Sequence, residues 1–386
     1  MELTAEIPSP EIYRLWSAIT TISGVLERKV WTVGKGRAIY PNIFTVLVGP
    51  PGSGKTNSIY PIRELWAKMN GLNIGPDDVT RPSLIDAISG SMKTVVNSDA
   101  TTSTFSSLVL PCSEFGVFFT HHDTSFLSFI NHIWDSPNYY EEKRRTSGTV
   151  ELIKPYLVLL AGTQPDYLNA FLPEEAWGMG FTSRLIMIYA SKAPIVDMFG
   201  TTENTMGQLI PQLAEIFDLK GSFVWSLEAA NEMNAWRKAG APPEPDHSRL
   251  LHYNTRRALH VAKLSMISAV SRSANLIVKL EDFERAQNWL IEAEKPMPDI
   301  FRAMGAKSDK QVLLDLHRFL YRLWSSVAVD RRKPVPEAEI YRYLAERTTS
   351  DKVPRLLELG EKAGYINRGH YSGTWLPGNL EKLASV

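Results

Sequence analysis

The stretch 46-VLVGPPGSGKTNSI-59 limits the folds open to this chain more than any other. Residues 43–48, IFTVLV, are a short apolar, β-branched run that reads as a buried strand. Residues 56–70 have mostly helical spacing, interrupted at Pro61, where a helix kinks or restarts. Between the two lies the pattern G-x-x-x-x-G-K-[ST], met by Gly49, Gly54, Lys55 and Thr56. Glycines let successive backbone N–H groups turn inward toward phosphate oxygens, and the following helix offers its positive end to the same anion. Gly49, Pro50, Pro51, Gly52, Ser53 and Gly54 therefore read as a cradle for the phosphates of a nucleoside triphosphate. Lys55 reaches the β- and γ-phosphates, and the Thr56 hydroxyl is placed for Mg²⁺.

Later strands repeat the alternation. Apolar runs at 105–119, 156–164 and 184–190 are separated by helical patterns at 125–136 and 165–172. Such alternation implies an α/β fold with a parallel sheet and crossover helices. A turn-rich connector from residue 71 leads into a short helix with Thr80 as N-cap. Residues 141–152 read as a hairpin turning at Ser147-Gly148. The resulting division is a helical lead-in over 1–40, a P-loop core over 41–195, a helical lid over 196–305 and a winged helix over 306–386. In the lead-in, Ile12, Leu15, Trp16, Ile19 and Ile22 share one face. In the lid, Leu259, Ala262, Met266, Ile267 and Val270 form one stripe. The proline-rich stretch 239–248 reads as a loop between lid helices.

The 386 residues carry 42 basic and 42 acidic side chains, so no global basicity points to nucleic acid and any such binding needs a local patch. One cysteine, Cys112, excludes a disulfide scaffold and a cysteine-rich zinc site, and fits a reducing cytoplasm. No apolar run approaches the roughly 20 residues needed to span a bilayer, and the start lacks a signal-peptide core. A cytoplasmic protein with no membrane partner is expected.

Hydrolysis needs an acid at the tip of a strand near the cradle. In 108-LVLPCSEFG-116, Glu114 stands where a general base belongs, and Ser113 is placed to hold a metal-bound water. The competing reading is a glutamate that caps a strand. The next strand ends at Thr163-Gln164, either of which can orient water, while Thr163 can equally serve as a helix N-cap. Arg184 opens the following strand, and the plain alternative for it is a surface arginine in a salt bridge. Arg256 and Arg257 open a lid helix from which either can reach a nucleotide, with ordinary surface charge as the competing reading.

This order of parts resembles the AAA+ ATPases. Residues 10–300 are more narrowly similar to phage- and plasmid-borne replicative helicases, related in plan to superfamily 3 and to the helicase parts of primase-helicases. The motifs that carry the resemblance are GPPGSGKT (49–56), SEFG (113–116), PYLVLLAGTQPDYL (155–168) and GFTSRL (180–185). Ser113 departs from the usual aspartate. The resemblance implies a hexameric homo-oligomer that hydrolyses ATP and moves along single-stranded DNA in a central pore, with a separate primase as a candidate partner. It implies that Arg184 points at the neighbouring subunit's nucleotide. It also implies that Lys143, Arg144 and Arg145 line the pore, with Tyr139 and Tyr140 stacking on bases. Glu141-Glu142 beside them favour a solvated charge run instead. In the expected winged helix, Lys352, Arg355 and Lys362 are offset by Asp351, Glu358 and Glu361, and Arg368 and His370 add little. An ATP-switched loader that does not translocate is the alternative, and a small-molecule kinase a third.

Overall fold

The structure is a computed structural model that describes residues 7–76, 79–97, 100–115, 124–144, 148–172, 177, 180–197, 206–326, 332–345 and 353–378. The chain divides into two compact units, Met1–Phe301 and Arg302–Val386.

In the first unit, α1 (Glu11–Leu26) is followed by β1 (Val30–Gly34) and β2 (Arg37–Ile39), an antiparallel pair. The helical lead-in therefore stops at Leu26 and does not extend to residue 40. Val30, Thr32 and Val33 favour the strand, and Lys35 and Gly36, both at positive φ, turn it back. The buried side of α1 also differs from the expected one. Tyr13, Trp16, Ile19 and Thr20 are buried, whereas Ile12, Leu15 and Ile22 are only half-buried. The helix packs on several elements at once, among them the helix and strands of the glycine loop, so no single stripe describes it.

β3 (Phe44–Val48) is buried throughout. α2 (Lys55–Ala67) runs through Pro61 without a break. α3 (Arg81–Gly90) is capped by Thr80, whose side chain accepts from the Ser83 backbone N–H. β4 (Met92–Val96) was not anticipated. It pairs antiparallel with β5 (Thr102–Cys112), because the short link between them allows a hairpin but no crossover. Then come α4 (Thr124–Trp134), the β6–β7 hairpin (Tyr139–Arg144 and Gly148–Ile153), β8 (Pro155–Thr163), α5 (Pro165–Phe171) and β9 (Leu185–Tyr189). The central five-stranded sheet has the order β4-β5-β8-β3-β9, and every pair except β4–β5 is parallel. The fold is mixed α/β with a largely parallel central sheet.

Helices follow: α6 (Met206–Phe217), α7 (Leu227–Lys238), α8 (Arg257–Arg272), α9 (Leu280–Glu294) and α10 (Met297–Ser325). The expected stripe on α8 is only part of the picture. That helix is buried on nearly every side, Arg257, His260 and Lys263 included.

The second unit holds α10 from Arg302 onward, α11 (Glu337–Ala345) and α12 (Val353–Lys362). Ile366–Arg368 and Thr374–Pro377 form an antiparallel pair, to which Val335–Pro336 adds a third strand. Its core includes Leu316, Leu320, Ile340, Leu357, Ile366 and Trp375. Among the described residues, no helix is long and apolar enough to cross a membrane.

Candidate functional site

The glycine loop leaves β3 at the C-terminal end of the parallel strands and enters α2 directly. Gly52 and Gly54 have φ of 76° and 84°, a left-handed conformation that disfavours any side chain. The start of α2 has no side-chain cap, so its orphan N–H groups remain to bind an anion. Lys55 is buried, and its Nζ donates to the carbonyls of Gly49 (2.8 Å) and Pro50 (2.9 Å), with Ser53 Oγ at 3.2 Å.

Packing behind the loop comes from α1, which motif reading missed. A Cβ on Gly49 would lie 2.4 Å from the Ala190 carbonyl and 2.5 Å from Tyr13 Oη. One on Gly54 would lie 2.5 Å from the Pro8 carbonyl. Tyr13 Oη donates to the Val48 carbonyl at 2.5 Å and accepts from the Ala190 N–H at 3.1 Å. It thereby ties the end of β3 to the end of β9. Burial raises the phenol pKa above its ordinary value, so the hydroxyl remains a donor. Ser9 Oγ meets Ser58 Oγ at 2.5 Å, on the far side of the same helix start.

β8 separates β3 from β5. Val48 faces Thr163 and Cys112 faces Ala161, so Ser113 and Glu114 leave β5 at the loop's end of the sheet. Thr163 is buried and its carbonyl accepts the Gly49 N–H at 3.2 Å. Gln164 takes the N-cap position of α5 without a side-chain cap bond. A Cβ on Gly162 would lie 2.8 Å from the Ser113 carbonyl and 3.4 Å from Lys55 Cβ, so Ser113 and Lys55 flank one strand. Ser113, Glu114 and Thr56 are exposed. One end of the sheet thus collects the cradle, two hydroxyls, a carboxylate and the Thr163–Gln164 tip. Gly116 lies outside the described residues.

Arg184 stands at the other end. Leu185 pairs with Phe44, the first residue of five-residue β3, so roughly 16 Å of strand separates Arg184 from the loop at about 3.3 Å per residue. Its guanidinium donates to Asp135 Oδ2 (2.7 Å) and to the Gly180 carbonyl (2.9 Å). Arg256 is brought to Arg184, not to the glycine loop of its own chain, with Nη1 3.9 Å from Asp135 Oδ1. Both guanidiniums lie over the Trp134 ring, at 5.6 and 5.5 Å from its centre. Lys263 Nζ, buried, approaches the same ring at 3.7 Å and donates to Asn42 Oδ1 at 2.8 Å. Burial, aided by Arg184 and Arg256, holds the Lys263 ammonium pKa well below its ordinary value. His260 Nε2 lies 2.9 Å from the Ser183 carbonyl, which only a ring N–H donor satisfies, and burial pushes this imidazole down to about 3. A cavity of about 210 Å³ opens beside the cluster, lined by Arg37, Asn42, Trp134, Asp135 and Lys263 among others. Arg257 is turned inward, in a buried 2.7 Å ion pair with Glu294, and is a structural residue.

No family model matches the chain, and no curated protein matches it.

The hairpin is less cationic than its sequence suggests. Arg144 is paired to Asp86 (2.7 Å) and Glu142 (3.0 Å) and donates to the Pro82 carbonyl (3.1 Å). Lys143 is 82% exposed and 3.5 Å from Glu141. Glu141 faces Glu151 across the strands, so carboxylates share the exposed face with Tyr139 and Lys143. Tyr140 packs edge-on against Phe129, and Arg145 lies outside the described residues. In the second unit, Lys362 pairs with Glu358 and Arg368 with Glu361, while Lys352 and Asp351 lie outside the described residues. Among the described residues, no group of three His, Cys, Asp or Glu side chains is placed to hold a metal.

Proposed function

We propose that the chain is the ATP-hydrolysing subunit of a head-to-tail ring that acts on DNA. The observation that carries this reading is the placement of the glycine loop and the Arg184–Arg256 pair at opposite ends of one sheet. Copies stacked head to tail bring one copy's arginines to the next copy's loop, and a heterologous contact of this kind forms a ring when the rotation between copies closes. The resemblance to AAA+ ATPases supports the same plan, with the helical region as lid, the second unit as winged helix and six subunits.

In this reading Lys55 exchanges the Gly49 and Pro50 carbonyls for β- and γ-phosphate oxygens, while the loop and the start of α2 supply N–H donors. Glu114 takes the proton of the attacking water, which Gln164 or Thr163 orients. Arg184 of the adjacent copy neutralises charge on the transferring phosphoryl group. The hydroxyls of Thr56 and Ser113 suit a Mg²⁺ ion that neutralises phosphate charge. With so few protein ligands, that ion would rest mainly on phosphate and water, as Mg²⁺ commonly does.

The test is turnover per subunit against protein concentration. It should rise as the ring assembles, and Arg184→Ala should abolish it. Mixing Arg184→Ala with Lys55→Ala protein should restore part of the activity, because mixed contacts contain one intact site. Full turnover by a lone subunit would overturn the reading.

The acidic exposed face of the hairpin favours a second reading, an ATP-switched loader that grips DNA without moving along it. DNA-stimulated hydrolysis without strand separation would select the loader.

A further inference from the structure

Two guanidiniums, of Arg184 and Arg256, lie over the Trp134 ring and repel each other; burial first, and then the Arg184 charge, hold the Arg256 pKa below its ordinary value. Lys263 Nζ approaches the same ring. The side chain that meets both arginines is Asp135, at the end of α4, with Oδ2 2.7 Å from Arg184 and Oδ1 3.9 Å from Arg256. It lies at a rim rather than in the core, since 40% of its side chain is exposed. One carboxylate against two guanidiniums leaves the cluster electropositive. The lone chain also leaves Arg184 incompletely satisfied, because its buried Nε has no hydrogen-bond partner among the described residues.

We infer that Asp135 is a positioning residue that holds Arg184 and Arg256 side by side as one anion-binding unit for a phosphate presented by another copy of the chain. The inference rests on the shared-site reading above and deepens it. Without the carboxylate, repulsion separates the two arginines and each must be ordered anew when a phosphate arrives. With it, they are pre-aligned over Trp134, and the surplus positive charge remains for the incoming anion. Asp135 does not touch the reacting atoms and acts through the arginines alone.

The test uses full-length protein. Asp135→Asn keeps the shape and removes the charge. It should lower kcat at least tenfold while KM for ATP stays within about threefold, and Asp135→Glu should recover part of the loss. Subunit mixing separates this role from a general structural one. Arg184 and Asp135 act from the same copy, and Lys55 from the next. The double variant Asp135→Asn/Lys55→Ala mixed with Arg184→Ala should therefore remain inactive. Asp135→Asn/Arg184→Ala mixed with Lys55→Ala should regain as much activity as the two single variants do together. Equal rescue in both mixtures overturns the inference, since Asp135 is then dispensable. Equal failure in both, while the single variants still rescue each other, also overturns it, since the defect is then one of folding. If the two single variants fail to rescue each other, the shared-site reading falls, and this inference with it.

Discussion

Gly49 donates its backbone N–H to the carbonyl of Thr163 at 3.2 Å, which fastens the first residue of the glycine loop to the tip of the neighbouring strand. Loop and strand tip therefore keep a fixed spacing. Tyr13 performs the same service on the other side, between Val48 and Ala190.

Gly162 has little room in this arrangement, with a Cβ there 2.8 Å from the Ser113 carbonyl. Gly162→Ala should cost about 1–3 kcal/mol, as expected for overpacking, because its Cβ meets the backbone carbonyl of Ser113, which cannot rotate away. Displacing Ser113 also shifts Glu114, so kcat should fall more than KM rises. Denaturant titration and steady-state hydrolysis check the two parts. A variant as stable and as active as the parent would contradict the packing described.

Tyr13→Phe takes the shorter of two donors from the buried Val48 carbonyl, which keeps the Ala190 N–H at 3.2 Å. The expected loss of stability is about 0.5–1.5 kcal/mol, that of one hydrogen bond. Nucleotide affinity should weaken as well, because the end of β3 carries the loop. Titration with a fluorescent ATP analogue reads the second effect, and unchanged affinity would detach α1 from the site.

The hairpin cations should separate by role. Lys143→Ala should leave the melting temperature unchanged and reduce the salt dependence of DNA binding by about one phosphate contact. Arg144→Ala removes bonds to Asp86 and Glu142 and should destabilise the protein by about 1–3 kcal/mol. If Lys143→Ala binds DNA as tightly as the parent at every salt concentration, the hairpin is not the DNA contact.

His260 gives the fold a pH dependence. Folded, its imidazole stays neutral down to about 3, whereas in the unfolded chain it protonates near the ordinary value of about 6.5. Between these values the unfolded state binds the extra proton, so stability falls as pH is lowered, by up to about 1.4 kcal/mol per pH unit. His260→Gln should flatten that slope between pH 6 and 4.5 in urea titrations. An equal slope in both proteins would assign it to other groups.

The sequence made the glycine loop legible because positive-φ glycines, a buried strand and a helix leave a local pattern. The runs that became β5, β8 and β9 were legible because parallel strands buried on both faces are continuously apolar. β4 was missed because its alternating, half-exposed residues follow a helix closely and lack a long apolar run. β1 and β2 were missed because helical spacing in α1 was extended past the point where Lys35 and Gly36 turn the chain. The stripe expected on α8 named only apolar residues and left out Arg257, His260 and Lys263, which are buried as well. Their burial depends on Glu294, Ser183 and Asn42, partners distant in sequence that no local pattern names. The same is true of Asp135 and Trp134, which reach Arg184 only through the strand order.

The head-to-tail contact proposed above has an arithmetic consequence. A linear stack of n copies completes n − 1 pockets and leaves an idle cradle at one end and idle arginines at the other. Only a closed circle puts every Lys55 opposite an Arg184, so joining the last copy to the first adds a whole active pocket without adding a chain.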